Sequence, residues 1–246
     1  MFGRSKMKQS LGRFIFEFVL LFLAITAGFF VENLRENWSE KRQERELIKT
    51  MVQDLEIDIQ SLDSAITLRG NRIAMLDSLT LLINSSEANQ WTHRLYIFGR
   101  KVTRILDFSF LSTDRTFEQL KNANGFRLIE NQKVAVRISK YYEQVNQIKQ
   151  LQGVENDFTK IYLPISYRIF DGLAFDRIVD KKGRVTSFSA NENPQLLKGY
   201  ENHLNDFNGN LNNIKSVNKY VKDSETKLIT QAQKLIEFIK KEYQLD

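Results

Sequence analysis

Two hydrophobic patterns follow one another in the first third of the chain, with no proline between them. The stretch Phe14 to Val31, FIFEFVLLFLAITAGFFV, is apolar on every helix face and carries one charge, Glu17. About 18 such residues are the lower edge of what crosses a bilayer core as a helix, and at ~1.5 Å each they cover roughly 27 Å. The pattern therefore predicts a transmembrane helix over 14–31, and Leu11 and Gly12 lengthen it without adding charge. Glu17 lies near the amino edge, four positions after Arg13, where it pairs on one helix face or snorkels to the headgroups. A secretory signal peptide begins in a similar way. Yet Gly28-Phe-Phe-Val31 continues the apolar run past the small residues Ala24 to Ala27, which a cleaved signal does not need.

Beyond Val31 the chain becomes highly charged without meeting a turn residue, and the apolar positions fall into heptads. With Val31 at a, the a series reads Val31, Trp38, Arg45, Val52, Ile59, Ile66, Ile73, Thr80. The d series reads Leu34, Lys41, Ile48, Leu55, Leu62, Arg69, Leu76, Ile83. Between Ile48 and Leu76 only Arg69 interrupts this seam. β-Branched residues at a with Leu at d suit a parallel two-stranded coil, so the 48–83 seam admits a homodimer. The same stripe equally suits an antiparallel bundle within the chain. Trp38 stands ~10 Å past the apolar edge on a continuing helix, within reach of an interfacial anchor's role.

Asn84-Ser-Ser-Glu is the first break. An amphipathic helix is expected over Trp91 to Phe110 and a short helix about Phe117 to Lys121, with Ser112 or Thr113 as its cap and Asn124-Gly125 as its left-handed stop. A long helix follows from Asn131, with Gly153 and Pro164 as its weak points. Alternation about Gly183 permits a small β-hairpin near 177–189. Asn193-Pro194 reads as an N-cap and first-turn pair opening a final helix over 195–243, whose stripe Phe207, Ile214, Val221, Leu228, Leu235 is long enough to lie along the first rod. The expected fold is all-α: a basic tail (1–13), a membrane helix (14–31), a juxtamembrane heptad helix (32–84) and a helical domain (85–246).

Charge changes the picture only at the amino end. The chain holds 36 Lys and Arg against 30 Asp and Glu, and setting aside Arg4, Lys6, Lys8 and Arg13 leaves 32 against 30. The excess is thus a flank of the apolar run and not a nucleic-acid surface. A short basic tail stays inside while a long domain translocates largely regardless of its charge, so the expected arrangement is a single-pass membrane protein with its carboxy-terminal domain outside the cytoplasm.

Certain residues resemble a known group. The segment Glu32-Asn33-x-Arg35-Glu36 after the apolar run, then Thr116, Phe117, Leu120, Gly125, Leu128, Ile129 and the pair Tyr141-Tyr142, resemble a family of single-span bacterial membrane proteins common in Bacteroidota. The likeness covers about the first 145 residues. It implies attachment to a lipid bilayer, the inner (plasma) membrane of a bacterium, and carries no assigned activity.

Candidate chemistry is sparse. His93 and His203 each lack a second ligand at metal spacing, and there is no cysteine, so no metal is expected. No glycine-rich phosphate loop or GxSxG elbow occurs, and no cofactor is implied. Thr113, Thr116 and Glu118 form the densest polar cluster near Asn124-Gly125, which capping explains as well as function does. The expectation is a non-catalytic, membrane-anchored interaction or sensory module. The alternatives are a tethered hydrolase-like enzyme with a carboxylate site, and an envelope scaffold. The candidate membrane-flanking residues are Arg4, Lys6, Lys8, Arg13, Glu17 and Trp38.

Overall fold

The computed structural model describes residues 4–104, 108–122 and 125–245, with side chains from Phe14 onward. The described residues form an all-α fold of six α-helices: α1 (Arg4–Ile83), α2 (Thr92–Lys101), α3 (Arg115–Asn122), α4 (Gln132–Ser166), α5 (Gly172–Arg177) and α6 (Leu204–Tyr243). Helix α1 alone runs 80 residues, or about 120 Å at the usual helical rise. It passes through Gly70 without a break. Every residue from 14 to 39 is exposed, and this is one helix long and apolar enough, by length and composition, to cross a membrane.

From Glu44 onward α1 has company. Helix α6 lies against both α1 and α4 along most of its length. Its stripe is buried at every expected position, Phe207, Leu211, Ile214, Val221, Leu228, Ala232, Leu235 and Ile239. Side-chain contacts fix the directions: Glu44 meets Tyr243 while Asn84 meets Asn208, so α6 runs back along α1, and Asp58 meets Tyr141 while Arg69 meets Glu155, so α4 runs with it. A fourth passage descends between them. From Val102 to Thr113 it is not helical where described, and only α3 and the 3-10 turn Gly125–Leu128 give it regular structure near the base.

The heptad seam of α1 is filled by this chain's own helices, but on a rotated face. All six d positions from Ile48 to Ile83 are buried. Their companions are the g positions Met51, Asp58, Ala65, Arg72 and Leu79, whereas Ile59, Ile66, Ile73 and Thr80 at a are only half-buried. A flanking pair of helices on one side covers d and g, where a symmetric coil would cover a and d. Parallel pairing of two copies through the same d residues requires α4 and α6 to be displaced first.

Several boundaries differ from expectation. Helix α2 ends at Lys101 rather than Phe110, because the chain there must turn and descend. Asn193-Pro194 opens no helix: Leu196 forms an isolated antiparallel bridge with Phe170, and Leu197 N–H donates to Ile169 O at 2.9 Å; the chain then turns at Lys198-Gly199, with Gly199 left-handed, passes through a 3-10 turn over Tyr200–His203 and enters α6 at Leu204. In place of the 177–189 hairpin there is a tight turn, with Gly183 at φ 73°, closed by a single Val179–Val185 bridge. Asn131 accepts from Lys133 N–H and caps α4 as its sequence suggests. Gly153 and Pro164 lie inside that helix without ending it. Asn124 lies outside the described residues, and Gly125 is not left-handed. What it needs is room, since a Cβ there would fall 2.9 Å from the Leu120 Cα.

Candidate functional site

The polar chemistry of the molecule is inside it. Along α4 the residues Val134, Tyr141, Ile148, Glu155 and Tyr162 recur every seven positions, as do Leu211, Asn218, Glu225, Ala232 and Ile239 along α6, and all ten are buried. A glutamate in such a series is carried into the core by its neighbours. Glu155 and Glu225 arrive at the level where α1 places Arg69 and Arg72, and all four side chains are at most 3% exposed.

Arg69 is the centre of this layer. Its Nε and Nη2 donate to the two oxygens of Glu225, both at 3.1 Å, while Nη1 donates to Glu155 Oε2 at 2.8 Å and to Asn218 Oδ1 at 3.0 Å. Arg72 donates through Nη1 to the other Glu155 oxygen and through Nη2 to Val102 O at 2.7 Å. The Phe108 ring lies under both guanidiniums, with its centroid 4.2 Å from that of Arg72. Two cations and two anions make the layer neutral, and the two-pronged Arg69–Glu225 pair has the geometry that makes such contacts specific. The non-helical descending passage matters here. In a helix the carbonyls of Val102 and Phe108 would be spent on the helix's own ladder, but in this passage Val102 O and Phe108 O are left to accept from the arginines.

Electrostatics agree with the geometry. Burial pulls the Arg72 guanidinium down to about 10, with Glu155 opposing the fall. Burial also holds Glu225 above the ordinary glutamate range, against the hydrogen bonds and charge of Arg69. Arg72 Nε has no partner among the described atoms, so the layer is not saturated.

A second buried site lies nearer the base. Asp54 accepts from Arg115 Nε at 2.6 Å, from Thr116 N–H at 3.2 Å and from Thr116 Oγ1 at 2.5 Å. One turn on, Asp58 accepts from Thr113 N–H at 2.6 Å and from the Tyr141 hydroxyl at 2.8 Å. The Tyr142 hydroxyl donates to Thr113 O, and its ring stacks on Phe117 with centroids 4.1 Å apart. The cluster of Thr113 and Thr116 is therefore a start of α3 whose cap is supplied from α1 instead of from Ser112 or Thr113. Glu118 stays at the surface of that helix with Lys121. Burial pushes Asp58 up, opposed by the bonds from Thr113 and Tyr141, and burial together with Asp58 pushes the Tyr141 hydroxyl up.

The remaining sequence candidates do not converge. The side chains of Arg4, Lys6, Lys8 and Arg13 lie outside the described residues. Glu17 and Trp38 are exposed on α1, Trp38 at 77%. His93 sits at the distal end, its Nε2 2.6 Å from Glu192 O, and His203 lies in the same half, immediately before α6. Among the described residues no group of three or more His, Cys, Asp or Glu could hold a metal ion. The outer cleft between α4 and α6, about 550 Å³, is lined by glutamines, Lys227 and Tyr220 and by neither aspartate of the α3 cap. Sequence reasoning singles out Arg69 as a break in the seam but misses Glu155 and Glu225; their seven-residue spacing from apolar neighbours is the available signal. Comparison with known protein families, with characterised proteins and with solved structures finds no match to this chain.

Proposed function

We propose that this protein is a single-pass membrane protein whose helical bundle serves as a non-catalytic interaction or sensory module. The observation that carries the reading is the fully exposed apolar length of α1 from Phe14 to Val31, which no other described element covers and whose length and composition suit a bilayer core. Its unbroken passage into the bundle favours a retained anchor over a cleaved signal. A non-catalytic role is supported by how the buried carboxylates are used: Glu44, Asp54, Asp58, Glu155 and Glu225 all accept bonds that hold one element to another. The basic residues before Phe14 favour a cytoplasmic amino terminus and a bundle on the other face.

Membrane fractionation with protease protection tests this. The full chain should stay with the membrane through salt and alkaline washes and leave it in detergent. Protease added to spheroplasts should cut the bundle without lysis. Recovery in the soluble fraction after a salt wash sinks the membrane reading; cleavage only after lysis reverses the orientation.

A further inference from the structure

The apolar core is not continuous. One cluster gathers Leu47 to Ala65 of α1, Val134 to Ile148 of α4 and Val221 to Ile239 of α6; the other gathers Leu76 to Ile83, the distal helices and Phe207 to Ile214. The Arg69–Arg72–Glu155–Glu225 layer lies between them. We propose that this layer is a joint between two separately cooperative halves of the bundle, so that the distal half opens while the base stays folded.

Three observations support it. First, an apolar boundary between two halves resists opening because each exposes oily surface to water. Charges exposed at such a boundary instead recover hydration that burial had removed, so the free energy joining the halves is small. Second, three of the four passages crossing this level have a weak point there, and α6 alone runs through it as uninterrupted helix. Gly70 adjoins Arg69 in α1, Gly153 stands two residues before Glu155 in α4, and the descending passage from Val102 to Phe110 is not helical where described. Neither glycine is required by space. A Cβ at Gly153 meets nothing within 4 Å, and one at Gly70 meets only the tip of Lys222. Third, the halves differ in what pins them. In the base, three carboxylates of α1, Glu44, Asp54 and Asp58, accept from the backbone N–H groups of Glu130, Thr116 and Thr113, whereas in the distal half the ties beyond the three long helices run through the short helices α2 and α5, two isolated bridges and the hydroxyls of Tyr96 and Tyr162. Openings below the global one are drawn from regions of that kind. The inference concerns the bundle alone and stands whichever way the membrane question is decided.

Native-state hydrogen exchange followed by mass spectrometry, on the full chain in detergent micelles with low denaturant, reads the two halves separately. The best-protected amides of 76–83, 158–166 and 204–214 should be at least about tenfold less protected than those of 47–65, 134–148 and 221–239, with a shallower denaturant slope. The variant Gly70→Ala/Gly153→Ala should raise distal protection by roughly fivefold per glycine while leaving the base unchanged. The variant Arg69→Met/Arg72→Met/Glu155→Leu/Glu225→Leu, if it folds, should bring both halves to one protection level. Equal protection and equal slopes in the wild type overturn the proposal. So does a glycine variant that shifts both halves alike.

Discussion

Helix α1 carries two buried polar sites less than four turns apart, and they solve different problems. At Arg69 and Arg72 the charges come from three helices, balance one another, and meet at a level where every partner could in principle be apolar. At Asp54 and Asp58 the carboxylates face mostly backbone N–H groups and hydroxyls, and the cation present, Arg115, is 59% exposed. The first site chooses which helices share a level. The second fixes the path of a chain that has no cap of its own. The difference is that a neutral ion cluster can be replaced as a unit by packed hydrocarbon, whereas unpaired N–H groups must have an acceptor.

The largest expected effect tests the first site by halving it. Arg69→Met leaves Glu225 without its two-pronged partner and Glu155 with Arg72 alone, and should cost about 3–5 kcal/mol in urea unfolding. A loss below 1 kcal/mol would remove the distinction between the sites. Next comes the cap. Asp54→Ala strips Thr116 N–H and its hydroxyl of their acceptor and should cost about 2–3 kcal/mol, whereas Asp54→Asn keeps an acceptor and should recover roughly half of that. Equal losses in the two variants would mean that charge, and not accepting capacity, matters at this site.

The smallest effect is in pH. Glu225 has a raised value in the fold, so the folded chain takes up its proton more readily than the unfolded chain does. Its contribution to stability is therefore fully present below the ordinary glutamate value of 4.5 and is lost as pH rises through the raised value. Lowering the pH from neutrality toward 4.5 should raise the wild-type urea midpoint relative to that of Glu225→Gln. Parallel pH profiles for the two proteins would show that Arg69 cancels the effect of burial.

How much of this could be read from the sequence depended on repetition. The α6 stripe and the d series of α1 repeat every seven residues and were readable in full, including the interruption at Arg69. The start of α6 was not, because Asn193-Pro194 has the form of a cap and first-turn pair, whereas contacts distant in sequence, Leu196 with Phe170 and Leu197 N–H with Ile169 O, hold the chain extended there. Thr113 and Thr116 looked like a self-capped turn. Their acceptors lie about 60 positions earlier, where no local pattern shows them. Gly125 suggested a left-handed stop, but its role is steric and follows from the approach of Leu120. The rotation of the α1 seam from a/d to d/g was hidden for a related reason, since one helix's pattern cannot say on which side two partners will stand.

One feature of α1 bears on mechanics. Between Val31 and Ser39 no side chain is buried, and the hydrogen bonds along this length run inside a single helix, so it is a bare shaft below a braced tower. A continuous helix of this kind conveys twist and axial thrust from one end to the other. Any rotation imposed on the apolar end would therefore reach Glu44 as a turning of the whole bundle base, where Arg45 already grips the last carbonyls of α6.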